Sequence, residues 1–135
     1  MRILSSSILS LFVSIASVAV AAAQDDQDDL KVYFASGSSH VAPDQAAVLD
    51  QAARLFREGN PFVMILSGTA DTVGVADRNL DLSLRRARAV ADGLVARGIP
   101  VGRLQVLGRG NSELEIETGD DVASEENRVV VISWR

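Results

Sequence analysis

The stretch GTADTVGVADRNLDLSLRRARAV, Gly68 to Val90, runs from a glycine-flanked turn into a long helical pattern. Leu80, Leu84 and Ala87, followed by Ala91 and Leu94, recur at helical spacing and predict an apolar stripe on a helix from about Val75 to Arg97. Gly98 and Pro100 supply the stop. Gly93 lies inside the pattern, where it costs about 1 kcal/mol against alanine and predicts close packing against a neighbour. Just upstream, FVMILS (Phe62–Ser67) is a continuous apolar run of strand length and predicts a buried strand. Downstream, RLQVLG (Arg103–Gly108) predicts another strand. The quoted segment is thus the turn and crossover of a strand-helix-strand unit, and that unit decides the fold class.

Working outward, KVYFA (Lys31–Ala35) reads as a first strand, broken by SGSS. Pro43 and Asp44 open a helix in which Ala46, Leu49, Ala53 and Phe56 share a face. Gly59, Asn60 and Pro61 end it. After Gly108 comes the polar connection GRGNSELEIETGDDVASEEN, then a last strand, RVVVISW (Arg128–Trp134). The order β-α-β-α-β-β predicts an α/β fold: a mixed four-stranded sheet, its final strand inserted, with two main helices packed on one face.

The first residues read differently. Arg2 is the only charge before an apolar and small-residue run from Ile8 to Val20, and Ala21 and Ala23 fit a small-x-small cleavage site. Residues 1–23 are expected to be a signal peptide, 24–30 an acidic linker, and 31–135 the domain. An uncleaved membrane anchor is the alternative, although the run is short of the ~20 apolar residues a span needs. Cleavage after Ala23 removes one arginine and no acid, shifting the net charge from −5 to −6. That balance disfavours nucleic acid as a partner. The chain has no cysteine, so no disulfide, thiolate metal site or cysteine-linked lipid is expected.

Catalytic signals are sparse. His40 is the only histidine and no G-x-S-x-G elbow accompanies it, so a triad is not expected. Asp120, Asp121, Glu125 and Glu126 lack the spacing of a calcium loop and read as a solvated acidic run. No metal or cofactor is implied. Few aromatic side chains fall outside core positions, which favours a ligand read by charge and hydrogen bonds over a glycan platform.

The segments FASGSSHV, ILSGTADTVGVADRNLDLSLRRARAVADGLVARGI, LGRGNSE and ENRVVV resemble, in order and spacing, the OmpA-like C-terminal domain, a peptidoglycan-binding module. The resemblance covers roughly Val32 to Ile132. Its most specific part is the run T-D-x-x-G, then Asn, Leu-Ser and Arg-Ala, matched by Asp71, Gly74, Asn79, Leu82, Ser83, Arg86 and Ala87. It implies a non-catalytic, exported module that grips the diaminopimelate of the peptidoglycan stem peptide with Asp71 and Arg86. The free end of diaminopimelate carries an ammonium and a carboxylate on one carbon. A fixed carboxylate suits the first, and a planar guanidinium suits the second. Backbone N–H groups around Thr72 to Gly74 are expected to add donors for the anionic end. Asn79, Ser83 and Arg128 complete the implied ligand set.

Plainer readings stand beside these. Asp71 is also a suitable turn-capping acid, and Arg86 a suitable partner for Asp77 or Asp81 on the helix surface. Asn79 and Ser83 are equally suited to local helix hydrogen bonds. The Asp71/Arg86 pair is expected to face the ligand and to matter little to the core. The family pattern G-H-T-D is Gly68, Thr69, Ala70, Asp71 here. Its N-R-R-V is Asn127, Arg128, Val129, Val130, and its proline-containing loop is an acidic run. Those departures keep a second reading open: an envelope protein of this fold with weakened wall binding that works through a protein partner.

Overall fold

The computed structural model describes residues 29–135. The expected signal peptide, and all of the acidic linker before Asp29, lie outside the described residues. The elements are β1 (Leu30–Tyr33), α1 (Ala46–Gly59), β2 (Met64–Gly68), α2 (Ala76–Ala96), β3 (Leu104–Gly108) and β4 (Val129–Trp134), with short 3-10 turns at Val101–Arg103 and Glu125–Asn127. The sheet order is β1-β4-β2-β3. β2 and β3 are parallel, while β4 lies between β1 and β2 and runs antiparallel to both. The mixed sheet with an inserted last strand is as the sequence predicts.

Register explains the core. Val32 pairs with Val130, which pairs with Gly68. Leu66 pairs with Ile132, and Met64 with Trp134. Paired residues share a face, so these side chains form one apolar layer, and both helices pack on it with Leu49, Ala53, Phe56, Val90 and Leu94. The opposite face carries Ser67, Gln105 and Ser133 in the alternate positions and stays partly open.

Two expectations need correcting. Phe62 was expected in a buried strand, yet it is 84% exposed and the strand begins at Met64. With helices on one face only, β2 alternates rather than burying every residue, and Phe62 instead flanks the Arg103 guanidinium. Leu80 was expected on the buried stripe of α2, but it is half exposed. The buried side of the helix's first half is polar: Asn79, Ser83 and Arg86.

Glycines set how closely β2 and β3 approach α2. A Cβ on Gly68 would stand 2.1 Å from the Ser83 carbonyl oxygen, and one on Gly108 2.9 Å from Leu84 Cβ. Only a hydrogen fits at either place. Gly93 faces α1 more loosely: a Cβ there would meet Leu49 Cδ1 at 2.5 Å, the end of a side chain that can shift. The end of β2 therefore presses on the middle of α2 rather than on its first turn.

Candidate functional site

That contact settles how Asp71 and Arg86 come near each other. α2 begins at Ala76, so Arg86 lies about 15 Å along it at 1.5 Å per residue. The helix need not bend to close the gap. β2 delivers Thr69 beside the middle of α2, and residues 70–75 then run back toward the helix start. Asp71 lies on that return path, at the carboxyl end of a central strand.

Arg86 is fully buried. Its Nε–H donates to the Ser38 carbonyl at 2.8 Å, Nη2 to the Ala35 carbonyl at 3.1 Å, and Nη1 to the Thr69 carbonyl at 3.3 Å. The guanidinium also lies over the Phe34 ring, 5.4 Å from its centroid. One side chain thus joins the segment after β1 to the segment after β2. Burial pushes its pKa down to about 10, opposed by the Asp71 charge and helped by Arg128 and Arg85. It stays protonated at neutral pH. Because the folded value lies below the ordinary arginine value, the charge costs stability at every pH below about 10, and the cost fades as pH rises toward the unfolded value. The surface pairing with Asp77 or Asp81 does not occur; Asp81 pairs with Arg85 instead. The expectation that Arg86 matters little to the core is likewise overturned by its burial.

Asp71 is 5% exposed. Oδ2 accepts from Arg128 Nη1 at 3.1 Å and from the Ser124 N–H at 3.4 Å, and Oδ1 accepts from the Val73 N–H at 3.3 Å. The Val73 contact is the turn-capping bond that its position suggests. All three contacts are long for bonds to a carboxylate, so its acceptor capacity is not exhausted. Arg128 is anchored separately, with Nε donating to the Phe34 carbonyl at 3.0 Å. One carboxylate therefore sits with two guanidinium groups, and the cluster carries a net positive charge.

The other residues of the implied set hold the site's shape. Asn79 Nδ2 donates to the Val73 carbonyl at 3.0 Å, tying the turn to the helix. Ser83 donates to the Leu80 carbonyl at 2.7 Å and accepts from the Gly110 N–H at 2.8 Å. The Thr72 hydroxyl donates to the Gly119 carbonyl at 2.7 Å and accepts from the Val122 N–H at 2.9 Å. Gly74 adopts φ +84°, and its N–H donates to Asp121 Oδ1 at 3.1 Å. The Asn79 Nδ2 group, the Ser83 and Thr72 hydroxyls and the Gly74 N–H are thus engaged within the chain.

The acidic connection is more than a solvated run. Asp121 adopts a left-handed φ of 53°, its N–H donates to the Thr72 carbonyl, and its carboxylate takes the Gly74 N–H that the sequence suggested for a ligand. Sequence reasoning missed this clasp. The dipeptide Gly119-Asp120 before Asp121 signals a turn, but nothing local says which segment it docks on. Asn127 was also missed as a support: it is fully buried and makes two bonds with the Ile116 backbone.

Comparison with known proteins agrees with this architecture. The sequence model of the OmpA family matches residues 33–128. The peptidoglycan-associated lipoprotein of Rhizobium meliloti is 31% identical over 104 residues, covering 76% of this chain and 58% of that protein. That of Mesorhizobium japonicum is 29% identical over 69% of this chain and 55% of its own length. The chain thus spans somewhat more than half the length of these curated relatives. Among solved structures, the peptidoglycan-associated lipoprotein from Burkholderia pseudomallei superposes with a TM-score of 0.71 at 24% identity, over 78% of this chain and 89% of that one. The cell wall anchor of the T6SS from Pseudomonas aeruginosa gives 0.61 at 28% identity, over 73% and 71%. The sheet order, the Asp71–Gly74 turn against α2 and the extent of the sequence match lead to one assignment: the chain belongs to the OmpA family.

Proposed function

We propose that this domain is a non-catalytic peptidoglycan-binding module of the cell envelope, exported to the periplasm, and that it reads the zwitterionic end of diaminopimelate with Asp71 and Arg86. The observation that carries the reading is a buried carboxylate and a buried guanidinium held at the end of β2, in a family whose relatives here are named for peptidoglycan association. Asp71 has capacity for an ammonium beside its three long contacts. Arg86 carries the charge for a carboxylate, in a place where desolvation strengthens the interaction. His40, the only histidine, is exposed, and its imidazole has no hydrogen-bond partner among the described residues to orient it as a general base.

A second reading keeps the fold and envelope location but gives the main role to a protein partner. It is favoured by Asp121 and Arg128, which already occupy the Gly74 N–H and part of Asp71. Sedimentation with purified sacculi separates the two. Wall binding predicts that the protein pellets with sacculi and that a soluble diaminopimelate-containing stem peptide releases it. Protein left in the supernatant at low salt, together with a cross-linked envelope protein, would favour the second reading.

A further inference from the structure

A cavity of about 350 Å³ opens beside the Asp71/Arg86 pair, lined by Phe34, Ala35, Ala42, Gln45 and Arg128, with Asp44 and Glu125 among its walls. Two of its side chains have donors to spare. Arg128 uses Nε on the Phe34 carbonyl and Nη1 on Asp71, and its Nη2 has no partner among the described residues. Gln45 accepts the Tyr33 N–H with Oε1 at 2.9 Å, which fixes the amide orientation. Its Nε2 group likewise has no partner among the described residues. Gln45 is also the residue that precedes α1 and caps nothing with its side chain. The positive end of the α1 dipole therefore lies at the same wall.

We propose that this cavity is a second subsite, which takes a carboxylate of the stem peptide outside the zwitterionic centre. The inference rests on the peptidoglycan reading above and extends it. A zwitterion brings one charge of each sign to a cluster that holds two guanidinium groups and one carboxylate. One positive charge, on Arg128, is left to be matched. Asp44 and Glu125 oppose an anion here, but both are exposed and screened by solvent, whereas the Arg128 side chain is 17% exposed. Two groups of a stem peptide supply the required chemistry: its chain-terminal carboxylate and the α-carboxylate of its γ-linked glutamate.

The test uses Gln45→Glu, which keeps an acceptor for the Tyr33 N–H but replaces the donor with a negative charge. Calorimetry on the full chain would use the free tetrapeptide L-Ala-γ-D-Glu-meso-diaminopimelyl-D-Ala and two analogues, each amidated at one of the two carboxylates, with thermal melting as the folding control. The variant should lose roughly ten- to a hundredfold in affinity for the free tetrapeptide. The analogue whose amide removes the carboxylate read here should bind the wild type more weakly and show little further loss with the variant, which identifies the source. Equal affinity of wild type and variant for the tetrapeptide would overturn the subsite, as would an equal loss for all three peptides. A wild type that binds none of the peptides would overturn the peptidoglycan reading and the subsite together.

Discussion

Arg86 is a charged side chain buried in the free domain, and three carbonyl groups from two loops take three of its five N–H donors. Truncation leaves the carbonyls of Ala35, Ser38 and Thr69 without their donor and opens a void. Arg86→Ala should therefore lose about 3–5 kcal/mol of stability, a large share of what a domain of this size has. Arg86→Lys keeps the charge but not the planar fork, and should fall between. Urea unfolding of the three proteins measures both; an Arg86→Ala domain as stable as the wild type would show that the three bonds contribute nothing net. The position of Arg86 in a motif was legible in the sequence, but its burial was not. Its partners are backbone carbonyls, which have no residue signature, and they lie 17 to 51 residues away. Asp71 was legible as a turn-capping acid, and its bond from the Val73 N–H bears that out; its role toward a ligand is the proposal made above.

Gly68 marks the contact between β2 and α2 that brings the two site residues together. Gly68→Ala puts a methyl 2.1 Å from the Ser83 carbonyl oxygen, a backbone atom that cannot swing away. It should cost about 1–3 kcal/mol or more and lower the melting temperature. Gly59→Ala is the opposing control: it lies in the last turn of α1 with nothing within 4 Å of its Cβ, and should raise stability by up to ~1 kcal/mol. Melting curves that moved the same way for both would contradict the packing account. The helices, their stops at Asn60 and Gly98, and the order of elements along the chain were readable because periodicity and turn residues are local signals. The stripe on α2 was read one position away at Leu80, because the site substitutes polar residues for apolar ones on the buried side. Phe62 was misread because a run of apolar residues does not say that a sheet has one covered face.

At the scale of the molecule, the site sits at the carboxyl ends of β1 and β2, framed by four segments that are distant in sequence. The residues after β1 and β2 supply the carbonyls for Arg86, α2 supplies the guanidinium, and the connection before β4 clasps the turn. Sequence spacing conveyed the turn after β2 and the face of α2 through the motif, while the segment after β1 contributes only backbone carbonyls and the clasp depends on a long polar connection whose docking no local pattern specifies. The central claim is that Asp71 and Arg86 together read both charges on one ligand carbon. A stem peptide with L-lysine in place of diaminopimelate keeps the side-chain ammonium and lacks only the neighbouring carboxylate, so it tests the claim without altering the protein. Calorimetry of the wild-type chain with the matched pair should show the lysine peptide binding roughly ten- to a hundredfold more weakly, the loss expected for one charge-assisted contact. Equal affinity for the two peptides would contradict the account.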